Sequence, residues 1–432
     1  MPTLLWFRRD LRLHDLPAAL DAAAGDGEVL ACYVLDPRLH ASSGARRLRY
    51  LYDALRDLRD GLDGRLLVTS GRPEDRIPAL AQAVGATAVH VSEDFTPFGT
   101  RRDAKVRAAL GDVPLEGSGS PYLVSPGRVT KDDGTPYKVF SPFFTAWKQH
   151  GWRGPAKTGP KTATWIDPSA VDGIENEEIP RVDVDIDIAA GETAARAAWK
   201  HFVANRLDDY ADDRNRPDID GISRMSAHLK FGAIHPRTMV PDLGSGKGAQ
   251  AYLRELAFRD FYANVLNEWP HSVWWNWNKT FDGIEVDEGP EAQQRFEAWK
   301  AGRTGFPIVD AGMRQLSESG FMHNRVRMIT ASFLVKDLHL PWQWGARWFL
   351  DQLVDGDMAN NQHGWQWTAG CGTDAAPFFR VFNPTTQGDK FDPDGAYVRQ
   401  WLPEAGTDDY PEPIVDHKVE RLEALRRYEG IR

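Results

Sequence analysis

Cysteine is nearly absent from this 432-residue chain: Cys32 and Cys371 are the only two. That excludes a disulfide scaffold and a cysteine-built zinc site. Long apolar runs are missing as well, and none approaches the ~18 residues of a membrane span. The opening Met1-Pro-Thr-Leu-Leu-Trp-Phe-Arg-Arg lacks a signal-peptide layout, because charge follows a short apolar run and no cleavage site appears. The expectation is a protein of the reducing cytoplasm with no membrane partner. Excess positive charge is also lacking. The 52 Lys and Arg face 62 Asp and Glu, for a net charge of −10. Any nucleic-acid role therefore has to rest on a local basic patch. Finally, no GxGxxG follows an apolar run, which removes the usual nicotinamide fingerprint.

What is present is an ordinary globular composition, 42% hydrophobic and 26% charged, on a chain too long for a single core. Over residues 1–125, short apolar runs (3–7, 29–35, 65–70, 87–92, 113–117) alternate with amphipathic segments (14–24, 45–62, 73–84, 100–110). That alternation predicts a doubly wound parallel sheet, Rossmann-like in class. Residues 126–190 hold a Gly/Pro stretch at 154–160 and an acidic run at 172–187, and read as an exposed interdomain linker. From 191 to 432 helical periodicity dominates, most clearly over 192–207, 250–266, 291–300, 310–318, 322–338 and 344–353. The fold class is thus α/β plus all-α. Nearly all of the 16 Trp follow residue 146; most are expected to pack a helical core.

Several long segments carry chemistry. They are Leu5-Trp-Phe-Arg-Arg-Asp-Leu-Arg-Leu, Gly221-Ile-Ser-Arg-Met-Ser-Ala-His-Leu, Gly305-Phe-Pro-Ile-Val-Asp-Ala-Gly-Met-Arg and Met322-His-Asn-Arg-Val-Arg-Met-Ile-Thr-Ala-Ser-Phe-Leu. Further on come Asp355-Gly-Asp-Met-Ala-Asn-Asn and the Gly364–Pro384 stretch. Together they resemble the photolyase/cryptochrome family, above all the class I cyclobutane pyrimidine dimer photolyases. The resemblance implies an antenna domain, a linker and a helical domain holding FAD. It also implies light-driven repair: excited reduced FAD passes an electron to a dimer flipped out of DNA, the ring splits, and the electron returns. A monomer is expected.

By that resemblance the FAD site draws on Tyr210, Ser223, Arg224, Met225, Ser226, Glu255, Arg259, Asn324, Arg327, Asp355, Asp357 and Asn361. Two hydroxyls and an arginine beside a helix start suit a diphosphate, although Ser223 and Ser226 could equally be helix caps. Taken alone, Asp355 and Asp357 around Gly356 could be a solvated turn. Asn361 falls where the family faces flavin N5. A neutral amide there favours repair over the signalling of plant-type cryptochromes, which carry Asp; a helix-capping role stands beside that reading. Glu255, Asn324, Met328 and Trp367 match the dimer cleft. Asn324 and Met328, four apart, share a helix face, and 6-4 photolyases carry histidines there. His323 lies on another face. Arg214, Arg325 and Arg380, with Lys390, match the phosphate rim. Photolyases are base-flipping enzymes, which extrude the lesion from the duplex.

Two departures stand out. Phe258 replaces a cleft Trp and offers less stacking surface, and Ile222 replaces a hydroxyl-bearing residue near the diphosphate. For light-driven recharging, Trp365 and Trp342 match the inner and middle members of the family's Trp chain. The outer position falls at Gly289, so Trp344 or Trp348 is expected to serve as the exit. In the first domain, Asp36, Arg47, Asp94 and the 95–99 turn resemble a deazaflavin-type antenna site. A folate-type site carries Asn-Glu where this chain has Phe98-Gly99. The alternative function is a blue-light receptor of cryptochrome type, disfavoured by Asn361 and by the absence of a long tail after the core. A redox flavoprotein without a light role is disfavoured by the missing nicotinamide fingerprint.

Overall fold

The computed structural model describes residues 1–24, 27–374 and 380–431. Residues 375–379, inside the Gly364–Pro384 motif, lie outside that set. Five parallel strands, β1 (Thr3–Phe7), β2 (Glu28–Leu35), β3 (Leu66–Ser70), β4 (Val89–Val91) and β5 (Leu115–Gly117), run in the order β3-β2-β1-β4-β5. Thr3 lies opposite Val29 and Phe7 opposite Tyr33. Alternation along β1 explains why the sheet needs cover on both sides. Leu5 and Phe7 join one core with Tyr50, Leu51 and Leu55 of the Ala45–Gly61 helix. Leu4 and Trp6 join another with Ile77 and Leu80 of the Pro73–Val84 helix. The strand order reverses between β1 and β4, so the switch point, where such sheets commonly bind ligands, lies beyond Phe7 and Val91.

The 126–190 segment is more ordered than its composition suggested. Its Phe140–His150 helix buries Phe140, Phe143 and Trp147, and Trp147 donates its indole N–H to Asp260 at 3.0 Å. Thr164–Trp165 forms β6, a short parallel partner of the start of β2. Within the acidic run, Asn176 accepts the Val68 N–H at 2.9 Å, and the Glu177 N–H donates back to the Val68 carbonyl at 2.7 Å. The run thus seals the free edge of β3. Polarity alone marked it as exposed connector; its partners lie about a hundred residues away and left no local signal.

Helices fill the rest of the described chain. Those that build the site are Lys247–Glu268, Asn324–Lys336, Trp342–Gln352 and Met358–Ala369. The helix expected from Met322 starts later because His323 is its N-cap, its ring Nδ1 accepting the Arg325 N–H at 3.2 Å.

The two halves meet along a tight seam. The Leu11 N–H donates to the Phe231 carbonyl at 3.1 Å and Arg12 donates to the Gly232 carbonyl at 3.1 Å. At Gly232, φ is +68° and a Cβ would sit 2.0 Å from the Arg9 carbonyl oxygen. Glycine is required there for both conformation and space. Tyr50 hydrogen-bonds His228 Nδ1 at 2.6 Å and stacks on Phe231.

Two seam histidines are held neutral. Burial, then Arg224, lowers His228 to about 4. Burial, then Arg12 and Arg237, takes His235 well below its ordinary value, although Asp15, itself paired with Arg237, lies 3.4 Å from its Nδ1. As pH falls below the unfolded value near 6.5, the unfolded chain takes up protons that these rings refuse, so stability falls with pH. Buried Asp260 and Asp337, each raised to about 6 by burial, act in the opposite sense below pH 6, but His323 and His363, lowered by burial to about 4 and about 3, add to the two seam rings. Urea midpoints measured from pH 7 to pH 4.5 should therefore decline, and a His228→Gln variant should decline less. A flat profile would mean that the histidines are charged in the fold.

Candidate functional site

The Asp355-Gly356-Asp357 turn joins the Trp342–Gln352 and Met358–Ala369 helices, and both acids are buried. It is not a solvated turn. Asp355 takes both of its contacts from Arg327, at 2.9 and 3.2 Å, while the Arg327 Nε donates to the Met322 carbonyl. Asp357 caps the Met358–Ala369 helix, accepting the Asn360 N–H at 3.1 Å. It also receives Arg9, from the end of β1, at 2.6 Å. Burial alone would raise its pKa. Arg9, then Lys230 and Arg259, instead hold the carboxyl well below its usual range. Burial beside Arg9 in turn pulls Lys230 down to about 7.

Asn361 follows one turn into this helix and does not cap it. Its side-chain N–H donates to the Ala346 carbonyl at 3.0 Å and to Gln362 at 2.7 Å, so the amide is pinned. On the opposite wall, Ser223 Oγ bonds the Tyr252 hydroxyl at 2.9 Å and accepts the Met225 N–H at 3.3 Å. Tyr210 packs on Tyr252 at 5.2 Å. Arg224 has φ +54°, and its guanidinium lies 4.5 Å from the Phe321 ring, which also receives Arg327. Ser226 is exposed and makes no capping bond; Met225 holds the N-cap position of that short helix. Arg259 is committed to the Pro121 and Leu229 carbonyls at 2.7 and 3.0 Å. Ile222 joins the Tyr210–Tyr252 core.

Do these residues fit a large polar cofactor? Arg224 Nε, His323 Nε2 and His363 Nδ1 are buried without a hydrogen-bond partner among the described residues. Buried polar atoms of that kind call for a polar occupant. The buried acid pair, the pinned amide and the Ser223–Arg224 segment supply donors and acceptors. The set fits FAD.

Glu255 and Phe258, Asn324 and Met328, and Trp367 sit on three helices, while Arg214 follows the short Tyr210–Asp213 helix and Arg380 lies outside any helix. Arg214 pairs with Glu255 at 2.6 Å. Asn324 Nδ2 lies 3.9 Å from Met328 Sδ, consistent with one shared face. Arg325 donates to Asn215 at 2.7 Å. Burial, then the like charges of Arg214 and Arg380, presses its pKa down. Lys390 is exposed beside Phe391. Trp367 is partly exposed on the Met358–Ala369 helix. Phe258 stacks face to face on Phe140 at 3.5 Å, so one of its faces is already covered.

The antenna residues are less unified. Asp94 is buried against Arg102 at 3.2 Å, and burial is outweighed by Arg102, Arg9 and Arg8, so its pKa drops to about 2. A Cβ on Gly99 would fall 2.2 Å from the Asp94 carboxyl carbon, a packing reason for that glycine. Asp36 caps the Pro37–Ala41 helix and binds Arg38. Arg47 turns away to the Leu350 and Ser42 carbonyls at the domain seam.

Trp342 donates to Asn276 at 2.9 Å. Gly289 opens the Gly289–Lys300 helix with φ +83° and open space at its Cβ position. Trp365 touches Phe349 at 5.0 Å and Trp299 at 6.1 Å between centroids. From Trp299 the rings continue to Phe296 at 5.8 Å and Trp344 at 5.3 Å. Trp348 meets only Lys300 among these contacts. Sequence reasoning missed Arg9, Lys230 and Trp299. Arg9 stood in a quoted motif, but its partner is far along the chain, and Trp299 looked like one core Trp among many.

Comparison with known proteins agrees with this geometry. Residues 3–161 match the family model described as DNA photolyase, and residues 252–407 match the FAD binding domain of DNA photolyase. The chain is 37% identical to the deoxyribodipyrimidine photo-lyase of Escherichia coli, covering 99% of this chain and 98% of that one. It is 39% identical to that of Thermus thermophilus, covering 99% and 97%. Among solved structures, the Agrobacterium tumefaciens class III photolyase superposes with TM-score 0.91 at 33% identity, covering 100% and 97% of the two chains. The Synechocystis cryptochrome does so with 0.89 at 28%, covering 98% of each. A Sulfolobus tokodaii photolyase with two FAD molecules gives 0.86 at 28%, covering 100% of each. Full-length identity, two matching domains and a site that fits FAD lead to one conclusion: the chain belongs to the DNA photolyase family.

Proposed function

We propose that this protein repairs cyclobutane pyrimidine dimers in DNA, using light and FAD. The supporting observations are the Arg214–Glu255 pair, the shared face of Asn324 and Met328, and an Arg325 close enough to Arg214 and Arg380 to feel their charge. A −10 protein thereby offers a local positive rim about a cleft of mixed polarity. Bound FAD supplies the light-excited electron donor. The rim arginines take the phosphates of the damaged strand, while Met328 and Trp367 give an apolar wall for the extruded pyrimidines. Glu255, oriented by Arg214, meets the base edges. Asn361, pinned to Ala346, holds a neutral amide toward the flavin and gives it no ready proton. Trp365 returns an electron to oxidised flavin, and the ring contacts through Trp299 and Phe296 favour Trp344 over Trp348 as the exit.

A deazaflavin antenna is proposed at the sheet crevice, supported by Asp94 at the switch point and by Phe98-Gly99 in place of the folate-type pair. Extraction of folate or of a second FAD from native protein would replace that assignment.

The test is direct. Flavin-loaded, chemically reduced protein is illuminated with a dimer-containing oligonucleotide, and the dimer should disappear in light and persist in the dark. Binding without dimer loss would favour the receptor function. In the same assay, Trp365→Phe should repair normally when pre-reduced but lose most of its light-driven re-reduction. Native re-reduction by that variant would remove Trp365 from the electron path.

A further inference from the structure

Arg254 stands one residue before Glu255 and four before Phe258 on the Lys247–Glu268 helix, so it shares a face with Phe258. Its guanidinium lies over three phenylalanines: 4.6 Å from the ring of Phe140, 5.4 Å from Phe144 and 5.7 Å from Phe258. Phe140 and Phe258 are parallel within 6°, and Phe140 and Phe144 within 15°. The rings form an aromatic floor, and the cation rests on it.

The neighbouring arginines are engaged differently. Arg214 has Glu255, Arg325 has Asn215, Arg327 has Asp355, and Arg259 has two backbone carbonyls. Arg254 makes no ion pair and no side-chain hydrogen bond among the described residues. Cation–π contact at a partly exposed site is weak, and it leaves the N–H donors unused. Those donors lie in the guanidinium plane, the geometry that pairs with the oxygens of a phosphate. The place also matters. Phe258 and Glu255 belong to the cleft, and the Phe140 N–H is held at 3.1 Å by Asp374, in the segment leading toward Arg380.

We propose that Arg254 is a further phosphate-contacting residue of the DNA-binding face, held in readiness by the Phe140–Phe144–Phe258 floor. The proposal rests on reading the cleft as a DNA-binding site. It also gives Phe258 a second use: with one face closed by Phe140, it supports the arginine as well as the pyrimidine side.

Full-length, flavin-loaded protein is titrated in the dark against fluorescent duplexes with and without one thymine dimer, over a series of salt concentrations. Arg254→Gln should weaken binding to both duplexes and lower the log–log salt slope by about one unit. Arg254→Lys, which keeps the charge, should retain the slope. A Gln variant with native affinity and slope overturns the proposal. So does an equal loss in both variants accompanied by a lowered unfolding midpoint, which would make Arg254 a cover for the rings. If the unsubstituted protein binds both duplexes equally, the cleft lacks selectivity for the dimer, while the slopes still decide the role of Arg254.

Discussion

The contact between Arg9 and Asp357 is the constraint on which the rest of the site depends. Asp357 is buried, ionised and capping, and a buried charge is tolerated only when it is paired and hydrogen-bonded. Arg9 supplies that pairing from the carboxyl end of β1, with Lys230 and Arg259 adding positive charge. The helix so anchored carries Asn361, Trp365 and Trp367. One carboxylate therefore sets the α/β sheet against the helix proposed to face flavin, electron path and cleft together. Removing one partner of such a pair leaves an uncompensated buried charge, at a cost of about 3–5 kcal/mol.

The seam around this contact is built for close approach. Gly232 lets the backbone pass against Arg9, and a Cβ on Gly44 would sit 1.7 Å from the Asp351 carbonyl oxygen. Arg46 and Arg47 reach from the Ala45–Gly61 helix to carbonyls at Glu318 and Leu350. Such contacts leave little room for independent domain movement. The carboxyl end of the sheet and the Met358–Ala369 helix are then held at one distance.

Much of this was legible in the chain. The parallel sheet followed from alternation, because strands buried on both faces read as continuous apolar runs such as Leu4–Phe7. The Arg327–Asp355 contact followed from the family resemblance. What stayed hidden depended on partners distant in sequence. Arg9 and Asp357 are 348 residues apart, and nothing local marks either as one half of a pair. The stitching of Asn176 and Glu177 to β3 was hidden in the same way, behind an acidic composition. Arg47 looked like an antenna ligand until its carbonyl partners across the seam were seen. Ser226 looked like a cap because serine usually is one; the turn places Met225 there instead.

The central claim is that Arg9 and Asp357 act as one unit to set the flavin helix. A double-mutant cycle tests it most directly, with Arg9→Gln, Asp357→Asn and the pair compared by urea unfolding and by flavin retained after gel filtration. Coupling of about 1–3 kcal/mol is expected, with each single variant losing flavin and the double losing little more than either. Additive losses, or full flavin retention in Asp357→Asn, would contradict it.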